Sequence, residues 1–174
     1  MKTTLASLLA GSLATSLLLG ACGGGASSAQ TDAQKVAAAL TGDDKLAAAD
    51  NPQCRLFTAA ELATYIGEPV SAGRNAMGGC QWLTTRTRSD GSQGDVMVIV
   101  VPARYHERPK LANGFRDVPD VGEKGFVAQD MGGWIAGAIV GKDAVRVVLD
   151  GQTASEANAI ALLKETIKRR ATAS

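Results

Sequence analysis

Three cysteines, one histidine and a short acidic run are the residues with the most obvious chemical reach. His106 lies in Arg104-Tyr105-His106-Glu107-Arg108-Pro109, which reads as a polar surface loop. A Ser-His-Asp or Cys-His site needs an imidazole beside its nucleophile, and the only one here reads as a loop residue. No G-x-S-x-G is present, since Ser92 follows Asp90-Gly91. Zinc sites need three or four nitrogen or sulfur ligands. One His cannot supply them once the cysteines are committed elsewhere. Neither a phosphate-cradling G-x-x-x-x-G-K-[ST] nor a dinucleotide fingerprint occurs. No cofactor is therefore expected. Asp117, Asp120 and Glu123 could do acid–base work or hold calcium. Their spacing is not that of an EF-hand and Lys124 adjoins, so a solvated turn accounts for them better. Trp82 and Trp134 are candidates to line a ligand pocket, although each lies in an alternating stretch where aromatics usually fill a core.

The chain has 174 residues, 45% hydrophobic, which suits one folded domain rather than two. Lys and Arg number 18 against 17 Asp and Glu, and nucleic-acid binding needs a basic excess. Aromatics at 4% also leave little for a stacking platform. Nucleic acid is excluded as a partner.

Lys2 is the only charge before Asp32. Leu5 to Leu19 is apolar, and Leu19-Gly20-Ala21-Cys22 follows. A basic start, a short apolar core and small residues before a cut describe a secretory signal peptide over residues 1–21. At about 15 residues the core is shorter than the roughly 20 that span a bilayer. The ending resembles the lipobox of bacterial lipoproteins. The resemblance implies cleavage before Cys22, diacylglycerol (palmitate-type) attachment to its thiol, and acylation of the new amino terminus. Each buried CH₂ of such an anchor contributes about 0.8 kcal/mol. Gly23 stands where Asp commonly signals inner-membrane retention. The anchor is then expected in the outer membrane facing the periplasm of a Gram-negative host, or otherwise on the outer face of the plasma membrane. Loss of the leader removes only Lys2 among charged residues, so the mature chain is formally balanced.

Export bears on the two remaining thiols. An even pair in an exported domain usually forms a disulfide, so Cys54 and Cys80 are expected to be bridged. Closing a loop of about 27 residues would stabilise by roughly 3 kcal/mol. The alternative is a free, redox-active pair, but such pairs usually stand close together, as in C-x-x-C.

Residues 22–51 form a tether, Gly- and Ser-rich at first and then alanine-rich with weak helical turns over 32–49. A single domain follows over 52–174. Thr58-Ala59-Ala60-Glu61 is a capping box opening a helix with Leu62, Tyr65 and Ile66, stopped at Gly67 before Pro69. Thr153-Ala154-Ser155-Glu156 reads as a second box, opening a helix with Ile160, Leu163 and Ile167 on one face. Lys164, Lys168, Arg169 and Arg170 suit the negative pole of its dipole and solvent. Between the helices, Gly79–Arg86 alternates, with Cys80, Trp82 and Thr84 on one side. Val96–Val101 is unbroken and apolar, as in a strand covered on both faces. Residues 88–94 suit a hairpin loop. Trp134–Val140 and Ala144–Leu149 are two more strands joined by a tight turn at Gly141-Lys142, and Phe126–Gln129 adds a short one. The expected fold is α+β: an antiparallel sheet of about 4–6 strands with an N-terminal and a C-terminal helix packed on it.

Cys54-Arg55-Leu56-Phe57-Thr58-Ala59-Ala60-Glu61, Ile66-Gly67, Gly79-Cys80-Gln81-Trp82 and Val118-Pro119-Asp120-Val121-Gly122-Glu123 follow one another in that order. With the lipobox and tether, this pattern resembles small bacterial lipoproteins of unknown function, abundant in actinobacteria. Their pattern is C-x-L-L-T-x-x-E, then C-x-W, then a V-x-G-V-G-like turn. In outline it is similar to the extracellular sensor domain of some bacterial Ser/Thr kinases. Phe57 replaces the usual Leu, and Asp120 stands within the glycine turn. The resemblance supports pairing Cys54 with Cys80 and carries no catalytic residues. The expected role is a non-catalytic, lipid-anchored binding or sensing module of the cell envelope. Its partner would be an envelope protein or a small apolar ligand, with the membrane reached through the anchor. The alternatives are a structural or assembly lipoprotein and, less favoured, a hydrolase using the acidic turn.

Overall fold

A computed structural model describes residues 48–173. The expected signal peptide, the expected lipid-attachment residue Cys22 and the expected tether up to residue 47 lie outside the described residues. After a 3-10 turn at Ala48–Asp50, the Asn51 amide donates to the Asn75 side chain at 2.7 Å and to the Gly79 carbonyl at 2.9 Å. Helix α1 spans Ala59–Ile66. Its capping box is complete: the Glu61 N–H donates to Thr58 Oγ1 at 3.3 Å, and the Thr58 N–H donates to Glu61 Oε2 at 2.7 Å. It ends at Gly67, whose φ of +72° only glycine adopts without strain.

Seven strands follow: β1 Arg74–Ala76, β2 Gly79–Leu83, β3 Asp95–Pro102, β4 Arg116–Asp117, β5 Glu123–Asp130, β6 Gly133–Val140 and β7 Asp143–Asp150. They form one sheet in the order β1-β2-β3-β7-β6-β5-β4, and every pairing is antiparallel. The sheet is thus two meanders, β1 to β3 and β4 to β7, fused where β3 meets β7. Helix α2, Glu156–Ala173, closes the chain.

The fold is α+β with an antiparallel sheet, but seven strands exceed the expected four to six. The additional strands β1 and β4 are Arg74-Asn75-Ala76 and Arg116-Asp117. Neither carries an apolar pattern; they exist through backbone pairing at the two sheet edges. β5 is longer than the expected Phe126–Gln129 for the same reason, its polar ends being held by the ladder with β6.

Helices α1 and α2 cover one face. Leu62, Ile66, Ala159, Leu162 and Leu163 meet Trp82, Val96, Val98, Val127, Ala136, Ala138, Val145, Val147 and Leu149 in one buried cluster. The disulfide Cys54–Cys80 borders it, with a Cα–Cα separation of 5.1 Å. β3 meets the sequence expectation of cover on both faces only in its first half. Val96 and Val98 point into the helix-side core and Met97 is buried on the other side, whereas Ile99 and Val101 further along that side are only half-buried.

Helix α2 corrects two further expectations. Its cap is Ser155, whose Oγ accepts from the Asn158 N–H at 3.2 Å; Thr153 instead packs against Gly67, and Glu156 ion-pairs with Arg116. The buried stripe is Ala159, Leu162, Leu163 and Thr166, with Ile160 and Ile167 on its flank. The basic end is tertiary rather than merely solvated. Arg169 donates to the Leu56 carbonyl at 2.7 Å, to Glu61 at 2.9 Å and to Glu165 at 2.8 Å, and its guanidinium sits 4.5 Å from the Phe57 ring centroid. Arg170 pairs with Asp143 at 2.7 Å and Lys164 with Asp120 at 2.5 Å.

Candidate functional site

The strand order dictates a crossing. β3 must hand the chain to β4 at the far edge, past β7, β6 and β5, a span of roughly 19 Å at about 4.8 Å per strand. Residues 103–115 make this crossing as a strap over the face that the helices leave bare. The strap opens with a 3-10 turn at Ala103–Tyr105 and is moored along its length. The Ala103 N–H donates to the Lys142 carbonyl at 2.9 Å. The Gln129 N–H donates to the Asn113 carbonyl at 2.8 Å. Arg146 Nη2 donates to the Glu107 carbonyl at 3.2 Å.

Beneath the strap is a second, smaller core of Phe126, Ala128 and Ile135, against which Ala112, Phe115 and Val148 pack. The Phe115 and Phe126 rings stack with centroids 6.2 Å apart. His106 tilts against Phe126 at 5.6 Å, and its Nε2 lies 3.1 Å from the Lys124 carbonyl. That contact makes Nε2 the protonated nitrogen of the neutral ring. Burial pushes the imidazole below its usual range; the Lys124 carbonyl opposes this, and the charges of Arg146, Arg108 and Lys124 add to it. Phe126 reaches this depth because its partner on β6 is Gly137: a Cβ there would lie 2.9 Å from the ring.

Between strap and sheet lies a cleft of about 280 Å³. Pro109, Ala112 and Ile135 form its apolar wall; Glu107, Arg108, Gln129, Asp130 and Arg146 supply polar groups. Arg146 points here because the two-residue period of β7 sets it opposite Ile99 and Gly137, on the strap side of the sheet. Arg108 is held by an ion pair to Asp117 and by the Phe115 ring, 5.3 Å from its guanidinium carbon. Its Nε is the only buried side-chain polar atom among the described residues that lacks a hydrogen-bond partner. A buried donor left unpaired costs about 1–3 kcal/mol. Glu107 and Asp130, both exposed, form no ion pair with a described residue, so the cleft is lined by charges of both signs.

Two other clefts are less specific. One of about 470 Å³ lies between the β6–β7 hairpin and α2, and its Asp120 and Lys164 already neutralise each other. One of about 170 Å³ lies among Pro52, Leu56 and Arg170.

The residues singled out from sequence fall elsewhere. Trp82 is 1% exposed within the helix-side core. Trp134 is half-buried, packed against that core and close to Gly114. Neither lines any of these three clefts. Asp120, spent on Lys164, and Glu123, which opens β5, both line the cleft beside α2, whereas Asp117 is spent on Arg108 elsewhere, so the three carboxylates do not converge. No group of His, Cys, Asp and Glu among the described residues is arranged to hold a metal. Sequence reading passed over Arg108 and Arg146. Arg146 carries a signal: it is a cation within the otherwise apolar Ala144–Leu149. No protein-family model matches the chain, and no curated protein matches it.

Proposed function

We propose that this chain is a non-catalytic binding or sensing module of the bacterial cell envelope, lipid-anchored at Cys22, and that the cleft under the strap is its binding site. The observation that carries this reading is the pairing of two guanidinium side chains, Arg108 and Arg146, on the wall of one partly apolar cleft. A small, partly apolar cleft with a few convergent polar groups is the ordinary form of a ligand site. The Cys54–Cys80 bridge fits an oxidising compartment, where such bonds persist. The lipobox-like Leu19-Gly20-Ala21-Cys22 would hold the domain at the membrane, on the periplasmic side of the outer membrane or the outer face of the plasma membrane. The resemblance to small actinobacterial lipoproteins agrees with this placement.

The test is to purify the full chain from envelopes and weigh it under native conditions. A small molecule released on denaturation, and lost in Arg146→Gln, is the expected result. An empty protein in both forms contradicts it. Labelling with a palmitate analogue that disappears in Cys22→Ala is expected for the anchor.

One observation favours a second reading, an assembly lipoprotein. Leu111 on the strap and Met131 at the β5–β6 turn are fully exposed, each adjoining a residue that lines the cleft. Deleting residues 23–47 abolishes the role of a lipoprotein that bridges envelope parts, whereas a ligand binder tolerates the loss.

A further inference from the structure

We propose that the cleft under the strap takes a small zwitterion, an amino acid or short peptide, its carboxylate received by Arg108 and Arg146 and its ammonium by Glu107 and Asp130. This rests on the binding-module reading and names the ligand class of the same site. The guanidinium carries five donors in a planar fork and cannot be neutralised by losing a proton. Arg108 spends Nη2 on Asp117 and closes its Nε off from solvent, so Nη1 is the donor it has left for a ligand. Arg146 spends Nη2 on the Glu107 carbonyl, and the rest of its fork has no assigned acceptor. An anion seated between them accepts from the donors that each guanidinium has left, and charge-assisted hydrogen bonds of this kind are the strong ones.

A simple anion does not account for the other half of the lining. Glu107 and Asp130 would repel a bare phosphate or acetate, and neither is neutralised by a described cation. A ligand with an ammonium a few bonds from its carboxylate satisfies both pairs at once. The volume of about 280 Å³ accommodates a molecule of that size. The formal neutrality of the mature chain fits as well, since a zwitterion needs no long-range steering.

The experiment titrates the full chain by calorimetry with glycine, glycylglycine, acetate, inorganic phosphate and ethylamine as separate probes. Glycine or glycylglycine is expected to bind at least tenfold more tightly than acetate or ethylamine, and the tighter of the two tells an amino-acid site from a peptide site. Arg146→Gln is expected to weaken that binding by on the order of tenfold, the usual weight of a charge-assisted hydrogen bond. Glu107→Gln with Asp130→Asn is expected to erase the preference over acetate while leaving acetate binding intact. Circular dichroism of each variant establishes that the fold is retained. Equal binding of acetate and glycylglycine, tighter binding of phosphate, or indifference to Arg146→Gln overturns the ligand class. If every probe fails but a small molecule still co-purifies from envelopes, the zwitterion is wrong and the binding module stands; if nothing co-purifies either, both fall.

Discussion

The two faces of the sheet are finished to different standards. The helix face is closed by side chains that are almost wholly apolar, and the polar atoms near it are spent: Thr166 Oγ1 donates to the Leu162 carbonyl at 2.7 Å, and Glu68 accepts from the Gln152 N–H at 2.9 Å. The strap face is closed by an irregular segment resting on a core of three buried residues, and it leaves Arg108 Nε unsatisfied. Two packed helices exclude water with apolar area alone, whereas a strap must moor its own backbone at intervals. Between moorings it leaves room. Stability therefore concentrates on one side of the sheet, and the recognition we propose lies on the other.

Deep truncation on the helix face is expected to cost most. Trp82→Ala should lower unfolding stability by about 4 kcal/mol, read from denaturant melts. Its surroundings are core, so cleft binding in the surviving folded fraction should not change. Reducing Cys54–Cys80 should cost about 3 kcal/mol by releasing the closed loop. Cys54→Ser with Cys80→Ser should match it. Gly137→Ala addresses the strap face. Its Cβ would press on the buried Phe126 ring, and about 2 kcal/mol of destabilisation is expected. Unlike the first two changes, it should disturb the strap and weaken binding as well. A cost there equal to that of Trp82→Ala would erase the distinction between the faces.

The smallest effects are in pH, and the faces should part there too. On the strap face, the folded His106 imidazole titrates below its ordinary value of 6.5. The unfolded chain then binds more protons, so stability present above about pH 6.5 is lost as pH falls through the lowered value. His106→Gln should remove that segment of the pH–stability curve. On the helix side, Glu61 is held at about 2, against 4.5 ordinarily, first by the Arg169 guanidinium and then by the Thr58 N–H and hydroxyl. Its contribution is complete above about pH 4.5 and disappears as pH falls towards 2. Arg169→Met should flatten that lower window and leave the His106 segment untouched.

The helix face was largely legible in the sequence, because apolar periodicity and capping are local. Thr58 to Glu61, Gly67 and the Cys80-Trp82-Thr84 alternation all stand where pattern places them. The second cap was misread by two residues, since Thr153 and Ser155 both suit an N-cap and only tertiary packing against Gly67 claims Thr153. The strap face was not legible. Its covering segment has no period, and its edge strands β1 and β4 are fixed by pairing rather than composition. The cleft residues Arg108 and Arg146 lie 38 positions apart and share a cleft only because β7 returns beside β3 while the strap crosses over that face.

The contrast between the faces is tested most directly by amide hydrogen exchange of the full chain, with and without the small-molecule fraction of its own envelope. Slower exchange confined to residues 106–113 and 128–131, with α1 and α2 unchanged, is the expected outcome. Protection arising on the helices instead, or nowhere, would contradict the assignment of recognition to the strap.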